Sequence, residues 1–151
     1  MPDWRMNVFL GTYTAAQRID QLITNALVAG GVWTPWFAIL SMIRIREPIT
    51  PTELAAAMGL APTTCSDRVQ ELVDNGNVER VPNPADGRSH LLRTTAAGRD
   101  ALDRGDAATL EARFLVKRHL AGSLEDIEAA VAELTRALEA ALEEQRRAAR
   151  A

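Results

Sequence analysis

The side chains best equipped for recognition chemistry lie between Pro62 and Arg93. On a helical wheel of Pro62 to Asn75, Cys65, Val69, Leu72 and Val73 fall on one side. Thr63, Asp67, Gln70 and Asp74 point the opposite way, Thr64 and Glu71 stand beside them, and Ser66 and Arg68 lie on the flanks. Of these, Thr63, Thr64, Ser66, Asp67 and Gln70, with Arg68 beside them, are the candidates for the edges of base pairs and the backbone next to them. Threonine methyls touch thymine and their hydroxyls bond phosphate, glutamine pairs with adenine through both amide atoms, and aspartate accepts from the amino group of cytosine. Arg88 sits beside the turn-rich tip Pro82-Asn83-Pro84-Ala85-Asp86-Gly87, from which a guanidinium can enter a narrowed minor groove. Arg80 and Arg93, on either side of that tip, are candidate phosphate contacts. Asp86 either holds Arg88 through a charge-assisted bond or simply forms the turn. Taken alone, a Thr/Ser/Gln-rich face is more often just solvated. Its neighbours change that weighting.

Thr50-Pro51-Thr52-Glu53 is a capping box with proline at the first helical position, and Gly59 ends the short helix it starts. Pro62 opens the next helix, and Gly76 stands where a left-handed cap would close it. Val78 to Val81 and Ser89 to Arg93 read as strands, with Asn83-Pro84 and Asp86-Gly87 as turn signals between them. Helix, turn, helix and a hairpin tipped by arginine outline a winged helix-turn-helix, which makes double-stranded DNA the expected partner.

Longer helices flank this unit. Val8, Phe9, Ala16, Ile19, Leu22, Ile23, Ala26 and Leu27 recur at helical spacing and predict a helix from Arg5 to Ala29, stopped by Gly30-Gly31. Thr34 and Pro35 start another that runs to Arg46. Thr95 caps a long helix reaching Leu120, and Ser123 with Asp126 opens a last one running to Arg147. In that last helix Ile127, Val131, Leu134, Leu138 and Leu142 make a short seam of coiled-coil type. A winged helix already has its own core, so the seam is expected to be a subunit interface rather than a cover for the same chain. The expected architecture is mostly α: a winged helix-turn-helix over residues 34–98 with a two-stranded β wing, and dimerisation helices at 1–30 and 99–151.

Composition is ordinary for one globular domain with helical extensions. Acids outnumber bases by 20 to 17, a net charge of −3, so the DNA expectation rests on local arrangement alone. From Pro51 to Arg93 the acids are Glu53, Asp67, Glu71, Asp74, Glu79 and Asp86, against the bases Arg68, Arg80, Arg88 and Arg93. Few phosphates can be neutralised, which predicts modest affinity and a shallow salt dependence. The same balance favours the competing reading, a winged-helix module that binds protein and no longer binds DNA. The single cysteine, Cys65, excludes an internal disulfide and suits a reducing compartment. The N-terminus lacks a secretory signal. Gln21 to Ile43 holds no charge, but Gly30-Gly31 and Thr34-Pro35 break it, so it reads as two helices of a cytoplasmic chain rather than a membrane span. His90 and His119 lack ligand-pair spacing, and no phosphate loop or nucleophile elbow is present; no metal, cofactor or enzymatic activity is expected. His119, near a helix end, suits an interaction with the helix dipole. Trp33, Trp36 and Phe37, with Tyr13 on the first helix, are either core or an aromatic pocket for a flat ligand with Arg44 or Arg46 as its carboxylate partner.

Thr52-Glu53-Leu54-Ala55, Leu60 to Val69, Leu72 to Arg80, the wing Asp86-Gly87-Arg88-Ser89 and the run Arg93 to Gly98 together resemble the MarR family of bacterial transcription regulators. The resemblance implies an obligate dimer on a pseudo-palindromic operator, commonly a repressor released when a small aromatic or phenolic ligand binds between the dimer helices and the winged domain. It puts Thr63, Thr64, Ser66 and Asp67 on recognition-helix positions and matches Arg88 to the wing arginine of the minor groove, with Asp86 its acidic neighbour. Cys65 falls where the family has a buried aliphatic residue, which implies packing. Some relatives sense oxidants through a cysteine near the start of the first helix, and this chain has none there. Two positions depart from the pattern. Ala61 stands where a capping serine is frequent, and Asp67 puts a negative charge where a basic or neutral residue is common.

Overall fold

The computed structural model describes residues 8–32 and 37–149. Its elements are α1 (Val8–Ala29), α2 (Phe37–Arg46), α3 (Pro51–Met58), α4 (Pro62–Asp74), β1 (Val78–Pro82), β2 (His90–Thr94), α5 (Ala96–His119) and α6 (Leu124–Ala148). The expected starts of the first two helices, at Arg5 and Pro35, lie outside the described residues. The chain divides into two compact units, Met1–Ala112 and Arg113–Ala151.

In the first unit α2, α3, α4 and the hairpin enclose one apolar core. Leu40, Ile43, Leu54, Leu72 and Leu92 are fully buried there, and Ile39, Ile49, Cys65, Val69 and Val78 nearly so. Each large aliphatic side chain removed from water contributes roughly 1.5–3 kcal/mol, so the helices that carry these residues are held mainly by this core.

Local signals set where the elements begin. Thr50 Oγ1 accepts from the Glu53 N–H at 3.2 Å, and the Glu53 carboxylate accepts from the Thr50 N–H at 2.9 Å, completing the capping box of α3. Gly76, at φ 71°, takes the left-handed conformation that turns the chain from α4 into β1. Thr95 caps α5: its Oγ1 accepts from the Gly98 N–H at 3.0 Å and donates to the Gly76 carbonyl at 2.6 Å. Gly98 is required by a close approach, because a Cβ there would collide with the carbonyl of Asn77. The start of α5 is thereby pressed onto the turn between α4 and β1.

The hairpin is antiparallel with Arg80 opposite Leu92 and Glu79 opposite Arg93. An isolated antiparallel bridge also pairs Ile49 with Leu92 in the middle of β2, which the sequence did not announce. In the second unit α6 is capped by Ser123, whose Oγ accepts from the Asp126 N–H at 3.0 Å. None of its residues is buried; Ile127, Val131, Leu138 and Leu142 stay exposed. Arg113 and Glu128 form an ion pair at 3.0 Å across the turn between α5 and α6.

Candidate nucleic-acid interface

Helix α4 separates its two faces as the wheel requires. Cys65, Val69 and Leu72 are buried, and Val73 is partly so. On the outer side Thr63, Ser66, Asp67 and Gln70 are exposed, with Thr64 and Arg68 half-buried at the edges. Ala61 occupies the N-cap in extended conformation (φ −63°, ψ 141°) and makes no side-chain cap. The helix is therefore held by its buried stripe while its first-turn N–H groups lack the usual side-chain acceptor.

One hydrogen-bonded chain joins this helix to the wing. Arg80 Nη2 donates to Gln70 Oε1 at 2.8 Å, and Gln70 Nε2 donates to Asp74 Oδ1 at 2.6 Å. Gln70 and Arg80, expected to act as separate base and phosphate contacts, are thus coupled. Asp74 is the residue that sequence reasoning left out of the site; its one-turn spacing from Gln70 was the available signal. Because side chains alternate along a strand, Arg80 and Arg93 lie on opposite faces of the hairpin. The structure brings Arg80 against α4 and does not bring Arg93 there. Arg93 instead lines an open cleft of about 280 Å³ with Glu47, Pro48, Glu79, Thr94 and Arg99.

At the wing tip Asp86 acts as a turn former. Its Oδ1 accepts from the backbone N–H of Arg88 at 3.0 Å, and Asn83 Oδ1 accepts likewise from Ala85 at 3.0 Å. Asn83 also donates to the Ser89 hydroxyl at 2.7 Å, tying the two ends of the loop. The loop is shaped by its own side chains, and Arg88 is exposed at its end.

The wing is anchored by a residue that drew no attention in the sequence. Glu47 Oε2 accepts from the Thr94 N–H at 2.6 Å and from its hydroxyl at 2.8 Å, while Oε1 pairs with Arg44 at 2.7 Å. Burial pushes the Glu47 carboxyl upward, but the bonds from Thr94 and the neighbouring Arg44 outweigh it and hold the group below the ordinary carboxylate range.

Of the residues named for an aromatic ligand corner, Tyr13, Phe37, Arg44 and Arg46 are among the described ones. Phe37 packs on the core, its ring filling the space that a side chain at Gly105 would need. Tyr13 is 64% exposed, Arg44 is engaged by Glu47, and Arg46 is exposed; Trp33 and Trp36 lie outside the described residues. Cys65 is buried with Sγ 3.9 Å from the Pro51 carbonyl, and burial pushes its thiol up despite nearby Arg68, as befits a packing residue. His119 is the last residue of α5. Among the described residues no cluster of His, Cys, Asp or Glu is suited to a metal ion, and no helix is long and apolar enough to cross a membrane.

The MarR family model matches residues 31–89. The multiple antibiotic resistance protein MarR of Salmonella typhimurium is 31% identical over 86 residues, covering 57% of this chain and 60% of that protein. This chain therefore spans less than two thirds of that curated relative. Among solved structures, the M. tuberculosis transcriptional regulator MosR in complex with DNA aligns at 26% identity and a TM-score of 0.74, over 90% of this chain and 98% of that one. Staphylococcus aureus MarR in complex with salicylate and kanamycin shares the fold at 17% identity and a TM-score of 0.70, over 90% and 91%. With α4, the hairpin and their shared core in the arrangement described, the winged-helix segment of this chain is similar to that of the MarR family.

Proposed function

We propose that this chain is a dimeric, sequence-specific DNA-binding transcriptional regulator. Its outer α4 face enters the major groove while Arg88 reaches the adjacent minor groove. The observation that carries the reading is the Arg80–Gln70 bond, which joins the wing strand to the outward face of α4 as one polar surface. The DNA in the MosR structure supports it. The exposed stripes of α1 (Val8, Phe9, Tyr13, Ile19) and of α6 (Ile127, Val131, Leu138, Leu142) supply the dimer contacts. Two subunits then read the halves of a pseudo-palindromic operator about one helical turn apart. A DNA partner puts this work in the cytoplasm.

A repressor released by a small aromatic acid is the form of regulation we favour, supported by the salicylate found with the S. aureus protein. Calorimetry with a panel of phenolic acids is the direct check. The acidic balance of residues 51–93 favours the protein-binding alternative. Titration of operator-length duplex at low salt separates the two. DNA reading predicts saturable binding that Arg88→Ala weakens for every sequence, with a salt slope well short of ten released ions per dimer. Absence of binding favours the alternative.

A further inference from the structure

We propose that Asp74 and Arg80 clamp the Gln70 amide in one orientation, making Gln70 a preset reader of adenine and the other two its positioning residues. The inference rests on the DNA-binding reading and names the group of α4 that makes one sequence choice. Arg80 donates to Gln70 Oε1 and Asp74 accepts from Gln70 Nε2, at 2.8 and 2.6 Å. A guanidinium carries only donors and an ionised carboxylate only acceptors, so reversing the amide would set donor against donor and acceptor against acceptor. Each end of the amide keeps capacity, a second lone pair on the oxygen and a second hydrogen on the nitrogen. Adenine presents N7 as acceptor beside its N6 amino donor, a pair that demands one donor and one acceptor in fixed order. An unclamped glutamine can rotate its amide by half a turn and offer that order reversed. Gln70 and Asp74 come from one helix and Arg80 from β1, so the clamp also sets the wing strand against the reading head. It gives the acid at position 74 a use on a surface that meets phosphate.

The test is selection of duplexes from a randomised pool by the full-length protein and its Gln70→Ala, Asp74→Ala, Arg80→Ala and Arg80→Lys variants, with base preference read at every position. Wild type is expected to favour adenine on the order of 10- to 100-fold at one base pair per half-site, and Gln70→Ala to erase that preference there alone. Asp74→Ala and Arg80→Ala are expected to weaken the same preference by roughly 2- to 10-fold, the cost of ordering a freed side chain on binding. Arg80→Lys, which keeps a charge and a donor, retains most of it. Asp74→Ala is the decisive arm: an acid acting by charge alone gives tighter binding to every sequence when removed, whereas one acting through Gln70 loosens a single position. Uniform loss with Arg80→Ala, a salt slope lower by about 0.9 per subunit and an intact preference overturn the clamp and leave DNA binding standing. So does a Gln70→Ala protein whose preferences match wild type. A wild-type protein that selects no duplex overturns the clamp and the DNA reading together.

Discussion

Helices α4 and α6 carry apolar stripes of similar spacing and meet opposite fates. In α4 the stripe is answered within the chain: Cys65, Val69 and Leu72 lie at 1%, 1% and 0% exposure. In α6 no residue is buried, although the helix has the better N-cap, Ser123 bonded to Asp126 against an unbonded Ala61. A cap states where a helix begins, and a stripe states which side wants covering. Neither states what does the covering. In α4 the cover is α2, α3 and the hairpin; for α6 we assign it to a second copy of the chain.

Truncation of each stripe separates the two cases most strongly. Leu72→Ala is expected to cost about 2–5 kcal/mol in chemical denaturation, because the cavity it leaves is enclosed on all sides. Leu138→Asp should leave the winged-helix core intact by near-UV circular dichroism and reduce the dimer to a monomer in light scattering. A protein already monomeric at micromolar concentration would remove the basis for the α6 assignment. Gly98→Ala, which sets a methyl group against the Asn77 carbonyl, is expected to cost about 1–3 kcal/mol in the same denaturation experiment.

The caps give the next effects. Ala61 already has the extended backbone of a capping residue, so Ala61→Ser should raise stability by about 1 kcal/mol. Thr50→Ala, which dismantles the α3 capping box, should lower it by a similar amount of about 1 kcal/mol. Thermal melts of the pair read both signs. The smallest effect concerns acid. Glu47 is held below the ordinary carboxylate range in the folded protein, so its contribution is fully present above the unfolded-state value and fades as pH falls through the folded one. Replacing it by Gln should flatten the acid limb of the stability curve and leave the limb above neutrality unchanged. An unaltered acid limb would mean that the Thr94 bonds carry no net weight.

What could be read in the sequence follows the range of the interactions involved. The α3 capping box, the left-handed Gly76, the Thr95 and Ser123 caps and the wing turn are decided within a few residues, and types at fixed offsets announce them. The inner and outer faces of α4 follow from one helical period. The Arg80–Gln70 bond spans ten positions and the Glu47–Thr94 bonds span 47, and no local pattern links either pair. The opposite orientation of Arg80 and Arg93 needed the hairpin register, which depends on the turn conformation as well as its residues. Phe37 reads in the sequence as either core or a ligand contact, because an aromatic side chain at a helix start looks the same whether a ligand or Gly105 faces it.

The claim on which the account turns is that the outer face of α4 and the wing meet a duplex together. Hydroxyl-radical footprinting of the dimer on its selected duplex tests it most directly. Two protected tracts about one helical turn apart are expected on one side of the helix, with minor-groove protection at the flanks that disappears in Arg88→Ala. An even or absent footprint, or flanking protection that survives loss of Arg88, would contradict it.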